Sequence, residues 1–330
     1  ALPLSRLLMG PTWSLLADKF QSPALMIRLG AILAMVGTLM LLVPQGGWWV
    51  VLAMFVLAIG RAPAGPVLDG LTLKSLDDKS QYGRIRRWGS LGFMVGAVGV
   101  GWLVDNTAVG PLEFAAVATA GFMVVTWMMP TTDALERVPI LPALRELSRD
   151  PCIPWLMAGA ALHFAPHVGN TSFIAVHIDG LGHGAVWTGV AIAGGVTLEI
   201  LLMGKSQIIL DRIGSRRLLL IAVGLSIPRW ILMCMVTAPL AIVAVNVLHG
   251  ITFGLFWIAG VALIGEKAPA KIATSALGVF AAAVGGVGST LGTVGSSVIE
   301  EQWGTIAIYQ FATVCALLGL VCFIMAVRKS

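Results

Sequence analysis

The sequence DRIGSRR, at residues 211–217, separates two apolar runs that each carry one charged residue near their middle. Glu199 is the charge in the first run, and Arg229 is the charge in the second. A charge at the centre of a membrane-spanning helix costs about 2.5–3.5 kcal/mol even on the lenient insertion scales. If both runs span a membrane, the retention of these charges predicts a functional task. Glu199 and Arg229 are therefore the first candidate site residues.

The composition of the whole chain supports a membrane location for these runs. Of the 330 residues, 58% are hydrophobic and only 11% are charged, and the mean hydropathy is +0.92. A water-soluble fold of this size does not bury so much apolar surface. Apolar blocks of about 17–25 residues recur along the chain, whereas alternating segments of ~10 residues do not, so we expect helices rather than a barrel.

The apolar blocks predict ten complete spans and one partial span. We expect the complete spans near residues 25–43, 48–73, 87–104, 112–129, 154–178, 185–209, 217–237, 239–264, 274–298 and 306–327. The first block ends at about Leu16, which is short for a span, so a further helix is expected upstream. The long polar stretch at 131–150 predicts an N-terminal helical half at 1–130, a cytoplasmic central loop at 131–153 and a C-terminal helical half at 154–330.

The basic residues predict the orientation. All of the 21 lysines and arginines except Arg6, Arg61 and Arg229 fall in alternate loops or at the adjoining helix ends. Such loops stay in the cytoplasm, so the central loop and the C-terminus are predicted to be cytoplasmic. This segregation accounts for the net charge of +5, and no nucleic-acid partner is expected. The four cysteines lack the spacing of a disulfide framework or metal site, and we expect no metal and no cofactor.

A short repeat relates the two halves of the chain. Asp18, Lys19 and Ser22 recur as Asp211, Arg212 and Ser215, each set lying in a predicted cytoplasmic turn between consecutive spans. The second copy resembles the loop signature of the major facilitator superfamily. The resemblance implies an all-α polytopic membrane protein with two six-helix pseudo-repeats, here a partial five plus six. It also implies that the two turns act in conformational gating, and the residues concerned are Asp18, Lys19, Asp211, Arg212, Arg216 and Arg217.

A second resemblance is narrower. The sequence YGRIRRWGSLGF at 82–93, preceded by Asp69, resembles the group of that superfamily that contains the lactose permease, the phenylpropionate permease and the nucleoside/proton symporters. In that group an acid and an arginine on consecutive helices bind substrate as a pair, which implies Asp69 and Arg86 here. The resemblance covers nearly the whole chain. It implies proton-coupled uptake of a small organic solute by alternating access, in a bacterial inner membrane.

Arg86 and Asp69 also have structural interpretations. Arg86 fits a further positively charged anchor on the cytoplasmic side, and Asp69 fits a contact to Lys74 near the membrane interface. Arg61 lies beside Pro63, where its side chain either binds substrate or satisfies carbonyls freed by a helix break.

Two predicted spans carry a stripe of polar or aromatic residues on one helical face. The members are His163, His167 and Asn170 in one span, and Asn246, His249, Phe253 and Trp257 in the other. Such stripes suit a cavity that binds a small solute. We assign all of these residues except His249 to substrate binding. Ordinary helix packing is the alternative for the second stripe. The two histidines of the first have the spacing of a metal pair but no evident third ligand.

Glu199, Arg229 and His249 are predicted to carry proton coupling. A carboxylate that moves between a partly dry cavity and the vicinity of an arginine can bind and release a proton. The sequence leaves open whether Arg229 reaches Glu199. Arg6 precedes Asp18 by the same twelve residues that separate Glu199 from Asp211, so we expect Arg6 to be the counterpart of Glu199 across one cavity and to contact substrate.

Small residues predict close helix contacts at two places. Gly92 and Gly96 form one pair at helical spacing, and Gly288, Gly292 and Ser296 form a longer seam. Small residues at this spacing let helix backbones approach closely.

The predicted function is therefore secondary transport. The expected partners are a small-molecule substrate, protons and the lipid bilayer, and the chain is expected to act as a monomer. One alternative is a signalling membrane protein that kept this fold and lost transport. A second is an intramembrane enzyme, which is less favoured because no nucleophile motif, metal set or phosphate loop accompanies the buried acids. Aromatic acid, sugar and nucleoside all remain open as substrates.

Overall fold

A computed structural model describes residues 13, 22–43, 45–64, 67–68, 72, 82–107, 109–129, 145, 148–267 and 273–329. Within these ranges the chain is helical and has no β-strand. Seven of the described helices are long and apolar enough to cross a membrane. The prediction of an all-α polytopic membrane protein is confirmed.

The helices follow one another along the chain. They are α1 (Pro23–Leu42), α2 (Gly47–Arg61), α3 (Tyr82–Asn106), α4 (Pro111–Met128), α5 (Cys152–Gly180), α6 (Val186–Gly204), α7 (Ser206–Ile213), α8 (Ser215–Met235), α9 (Pro239–Val247), α10 (Phe256–Lys267), α11 (Ala273–Ala282), α12 (Ser289–Trp303) and α13 (Thr305–Lys329). A π-helical segment at Gly250–Leu255 precedes α10, and a second at Ala283–Gly288 joins α11 to α12.

The chain forms two compact units, and the first consists of residues 1–82 and 106–137. In it α1 packs against both α2 and α4. Arg28 of α1 caps the end of α4, because its Nε donates to the carbonyl of Thr126 at 3.1 Å and its Nη2 to that of Met129 at 2.9 Å. The cap satisfies carbonyls that a helix end leaves without an intrahelical partner.

The predicted span at 48–73 is wrong as a continuous helix. It ends at Arg61, and Ala62 and Pro63 form a turn before helical conformation returns at Ala64. Proline lacks the N–H that continues the hydrogen-bond ladder and clashes with the carbonyl four residues earlier, so Pro63 accounts for the break. Arg61 is therefore the last residue of α2, and its side chain is exposed.

The second unit consists of residues 83–105 and 138–330. Its core has two clusters of buried side chains. The larger contains Leu156, Leu218, Phe256, Phe280 and Phe323, and the smaller contains Ile174, Trp230, Ile242 and Tyr309. Helix α5 packs along α13 and α12, and α6 packs along α9 and the first π-helical segment.

One of the two predicted small-residue seams is confirmed in this unit. A Cβ added to Gly288 would lie 2.8 Å from the carbonyl oxygen of Ala161, and one added to Gly292 would overlap the carbonyl of Ala165. The seam therefore lets α12 lie directly on α5. At Gly92 and Gly96, by contrast, an added Cβ meets no atom of the described residues within 4 Å. Glycine spacing alone does not reveal which helix face has a neighbour.

The predicted span at 185–209 is also corrected. Helix α6 ends at Gly204, and α7 begins at Ser206 after a break at Lys205, whose φ of −112° and ψ of 16° are not helical. Helix α7 places Ile209, Leu210 and Ile213 against the larger core cluster, because its apolar residues recur on one face.

The gating residues of the second repeat therefore lie on helices. Asp211 and Arg212 are on α7 rather than in an irregular turn, and both are exposed. Gly214, with a φ of +80°, makes the turn into α8, a backbone conformation that glycine adopts without steric cost. Arg216 and Arg217 lie in the first turn of α8 and are exposed.

Candidate functional site

Glu199 lies on α6 inside the second unit, where its side chain has partners from two other parts of the chain. The residue is 5% exposed. Its Oε2 lies 3.6 Å from Nε2 of His249, and its Oε1 accepts a hydrogen bond of 3.2 Å from the hydroxyl of Ser90 on α3. Glu199 and His249, which the sequence analysis assigns separately to proton coupling, are thus in direct contact.

The contact depends on a close approach between α6 and the segment that follows α9. A Cβ added to Gly195 would lie 2.7 Å from the carbonyl oxygen of Asn246 and 2.8 Å from Cβ of His249. No larger residue fits at Gly195 without moving one of the two backbones. The glycine therefore sets the distance at which His249 meets the acid on the next turn of α6.

A small pocket of about 40 Å³ lies beside the acid–histidine pair. Its lining includes His249, Asn170, Asn246 and Phe93, together with residues of α6. Nδ2 of Asn170 donates to Oδ1 of Asn246 at 3.1 Å, while Nδ2 of Asn246 donates to the carbonyl of Ile242 at 3.0 Å. Oδ1 of Asn170 is buried and has no hydrogen-bond partner in the described part of the chain. The asparagine pair therefore leaves one acceptor open.

Three aromatic rings stack in a column that begins at the pocket. The rings of His249 and Phe253 are 5.0 Å apart and inclined by 9°, and those of Phe253 and Trp257 are 6.1 Å apart and inclined by 25°. The column contains three of the four residues in the second predicted stripe. Packing within the column holds the imidazole of His249 in one orientation toward Glu199.

His163 and His167 are buried away from the pocket, at 1% and 3% exposure. Nε2 of His163 lies 2.9 Å from the carbonyl oxygen of Thr252, and Nε2 of His167 lies 3.2 Å from the hydroxyl of the same residue. Nδ1 of His167 is 2.9 Å from the carbonyl oxygen of His163. Of the first predicted stripe, therefore, only Asn170 lines the described pocket.

Arg229 is fully buried, at 0% exposure, and it forms no ion pair with a described acid. Its Nη1 donates to the hydroxyl of Thr252 at 2.9 Å, and its guanidinium lies 4.1 Å from the centre of the Trp230 ring. Its Nε and Nη2 have no hydrogen-bond partner among the described residues. The question left open by the sequence is answered: Arg229 contacts Thr252 and not Glu199.

Ser90 and Thr252 were not among the predicted site residues. Thr252 lies in the π-helical segment, and such segments occur mostly as single turns at functional sites. Nothing in the sequence pattern distinguishes Ser90 from its neighbours.

Several predicted residues fall outside the description. Asp69, Arg6, Asp18 and Lys19 lie outside the described residues, and Arg86 is on α3 with its side chain not described. The proposed pairings of Asp69 with Arg86 and of Arg6 with Glu199 stay predictions. In the described part of the chain, no three His, Cys, Asp or Glu side chains are grouped as a metal site.

Comparison with known proteins gives one family and several relatives. The model of the MFS_1 like family matches residues 1–311. The chain is 26% identical over 335 residues to the maltose permease of Geobacillus stearothermophilus, which covers 99% of this chain and 84% of that protein. It is 24% identical over 286 residues to a probable 3-phenylpropionic acid transporter of Escherichia coli, covering 82% and 74% respectively.

Solved structures show the same fold. A mutant of the nucleoside transporter NupG superposes with a TM-score of 0.80 at 17% identity, over 99% of this chain and 88% of that one. FucP, a major facilitator superfamily transporter in its outward conformation, gives 0.68 at 11% identity, over 100% and 88%. The predicted major facilitator fold is confirmed.

Proposed function

Because this chain belongs to the MFS_1 like family of membrane transporters, we propose that it takes up a small organic solute together with protons that pass through Glu199 and His249. The chain is a multi-pass integral membrane protein and a secondary transporter, and its relatives are permeases rather than enzymes. The proposal adds three points to this: the coupling ion is the proton, the solute moves into the cell, and Glu199 and His249 bind the proton.

The observation that carries the proposal is the contact between Glu199 and His249. A buried carboxylate whose oxygen lies 3.6 Å from an imidazole nitrogen places two groups that can bind a proton side by side. The pair lies beside a pocket, so the occupant of that pocket changes how dry its surroundings are. Drying a carboxylate favours its protonated form, which links the proton to the solute.

The solute would bind beside this pair. Asn170 and Asn246 supply hydrogen-bonding groups, and His249 and Phe93 supply the aromatic lining. Phe253 and Trp257 continue the column of rings that begins at His249. A few polar groups among aromatic side chains are typical of sites for small organic molecules. The names of the relatives cover a disaccharide, an aromatic acid and nucleosides, which supports a small organic solute without choosing among these classes.

Further parts of the proposal rest on the sequence and the resemblance. We assign Asp69, Arg86, Arg6 and Arg61 to the N-terminal half of an alternating-access cavity. The exposed residues Asp211, Arg212, Arg216 and Arg217 would act in gating with Asp18 and Lys19. We place the protein in a bacterial inner membrane as a monomer with a cytoplasmic C-terminus, according to the positive-inside rule.

The test is solute accumulation by proteoliposomes under an inward proton gradient. The solutes are maltose, uridine, L-fucose and 3-phenylpropionate, each radiolabelled, and protein-free liposomes are the control. We expect one of them to accumulate above its external concentration and to lose that excess when a protonophore is added. Equilibration without accumulation would contradict proton coupling. Uptake no faster than in protein-free liposomes for every solute would instead favour the non-transporting alternative.

A further inference from the structure

Arg229 is a buried cation whose counter-charge is not supplied by the described residues. It is completely removed from solvent, and Thr252 is its one hydrogen-bond partner there. The Trp230 ring lies against the face of the guanidinium and stabilises its charge. It accepts no hydrogen bond from the N–H groups in the guanidinium plane. A charge buried in this way is strongly disfavoured unless an anion pairs with it.

The open atoms of Arg229 form one complete edge of the guanidinium. Nη1 is the nitrogen that bonds Thr252, and Nε and Nη2 are the two that lack partners. The N–H groups of Nε and Nη2 point in parallel, which is the arrangement that binds the two oxygens of a carboxylate at once. The unsatisfied edge is thus shaped for a planar oxyanion.

Two neighbouring side chains also lack partners. Nε1 of Trp230 and the hydroxyl of Tyr309 are buried without a hydrogen-bond partner among the described residues, although the residues are 0% and 1% exposed. Their rings stack 6.4 Å apart. Three adjacent residues therefore hold unused N–H or O–H donors, and buried donors are normally paired. Such a cluster of donors without acceptors indicates an absent acceptor.

One layer of side chains separates this cluster, Arg229, Trp230 and Tyr309, from the pocket. The ring of His249, which lines the pocket, lies 5.4 Å from that of His167, and His167 lies 5.4 Å from Trp230. Thr252 contacts both His167 and Arg229. A solute in the pocket would reach Arg229 if these side chains separated during the proposed alternating access.

We propose that the transported solute is an organic anion whose carboxylate binds the Nε and Nη2 edge of Arg229. This inference rests on the proposed transport of a small solute, but not on its coupling to protons. It selects the carboxylic acids among the substrate classes and assigns Arg229 to substrate recognition, whereas the sequence assigned it to proton coupling.

The test measures equilibrium binding by purified protein in detergent, with no gradient present. Benzoate, phenylacetate and hexanoate are each compared with the corresponding amide by titration calorimetry and by ligand-induced thermal stabilisation. We expect at least one acid to bind about tenfold or more tightly than its amide, because only the acid accepts both N–H groups as an anion. Chloride and inorganic phosphate are separate arms of the same measurement.

Variants then assign the preference to Arg229. Arg229→Gln should abolish the preference for the acid, and Arg229→Lys should weaken it, since lysine keeps the charge and lacks the fork. Arg328→Gln, at an exposed arginine near the end of α13, is the matched control and should bind as the wild type does. Trp230→Phe keeps an aromatic ring under the guanidinium and removes one donor, so it tests the cluster if the arginine variants do not fold.

Three outcomes would overturn the inference: no acid binds better than its amide, the preference survives Arg229→Gln, or chloride or phosphate stabilises the protein as much as the acids do. The last would identify a resident inorganic anion. Acid binding without proton-driven accumulation would contradict the proposed coupling and leave this inference standing. Proton-driven accumulation of a neutral solute, with no preference for any acid, would support the proposed coupling and overturn this inference.

Discussion

Glu199 and Arg229 are both buried and charged, yet the protein provides for them in opposite ways. Glu199 has a titratable base at 3.6 Å and a hydroxyl at 3.2 Å, and it lies beside a pocket. Arg229 is sealed from solvent and has one neutral hydroxyl at 2.9 Å. The acid has a partner with which it can share a proton inside the protein. The arginine lacks such a partner among the described residues, which indicates that its counter-charge arrives with a ligand.

The difference also affects the stability of the folded protein around Arg229. Removing a charge from water costs several kcal/mol even after the protein relaxes. A desolvated cation over tryptophan recovers about 2 kcal/mol, and the bond to Thr252 adds about 1.5–3 kcal/mol. The region around Arg229 is therefore expected to be less stable without a bound anion than the region around Glu199.

The largest expected effect is that of Glu199→Gln. The amide keeps the shape of the side chain and cannot release a proton, so solute should equilibrate without accumulating while exchange between internal and external solute continues. The measurement compares uphill uptake with counterflow in proteoliposomes. Glu301→Gln, at an exposed acid near the end of α12, is the control. Uphill accumulation by Glu199→Gln would show that the acid is not the coupling residue.

Thr252→Val should have the next largest effect. It changes the surroundings of Arg229 and leaves those of Glu199 intact. It removes the hydroxyl that contacts Arg229 and His167, so the free energy of unfolding should fall by about 1–3 kcal/mol. Thermal unfolding in detergent measures this loss. The matched control is Thr313→Val, whose hydroxyl bonds only the carbonyl of Tyr309 in its own helix. Equal losses for the two variants would mean that Thr252 has no special role.

His249→Phe should lower proton-driven uptake about tenfold with little loss of folded protein. Phenylalanine keeps the ring that stacks on Phe253 and removes the nitrogen that lies 3.6 Å from the carboxylate, and a tenfold fall in rate corresponds to about 1.4 kcal/mol of lost interaction. Initial uptake rates and the yield of folded protein are measured together. His183→Phe, in the loop before α6, serves for comparison. An uptake rate like that of the control would argue against a role for the imidazole in coupling.

Ser90→Ala should have the smallest effect. At 3.2 Å its hydrogen bond to Glu199 is long for a hydroxyl donor, so its loss should cost about 0.5–1 kcal/mol, or about a two- to fivefold change in uptake rate. Ser297→Ala, an exposed serine on α12, is the control for removing a hydroxyl. A loss as large as that of Glu199→Gln would show that Ser90 takes part in proton transfer itself.

The apolar runs predict most of the fold because a spanning helix must be long and apolar. Helix α5 is predicted at 154–178 and observed at Cys152–Gly180, and α13 agrees as closely. The errors occur where a single residue changes the backbone. Pro63 ends α2 early, and Lys205 separates α6 from α7. Both interruptions are short enough that the surrounding hydropathy hides them.

The candidate site is less predictable because it depends on which helices become neighbours. Burial cost identifies Glu199 and Arg229 as unusual from the sequence, and helical spacing identifies His249 and Asn246. The sequence does not reveal that His249 rather than Arg229 reaches Glu199, since that depends on how α6 packs against the chain after α9. Thr252 is missed for the same reason, because its contacts to Arg229 and His167 depend on how the helices pack.

The unpaired edge of Arg229 has a consequence for the energetics of a transport cycle. If a carboxylate bound there crosses the membrane with the proton held by Glu199 and His249, the two charges cancel and the step moves no net charge. Membrane voltage, worth about 2.3 kcal/mol per elementary charge at 100 mV, would then neither drive nor oppose uptake. Accumulation would follow the pH difference alone, and a potassium diffusion potential of either sign would leave its rate unchanged.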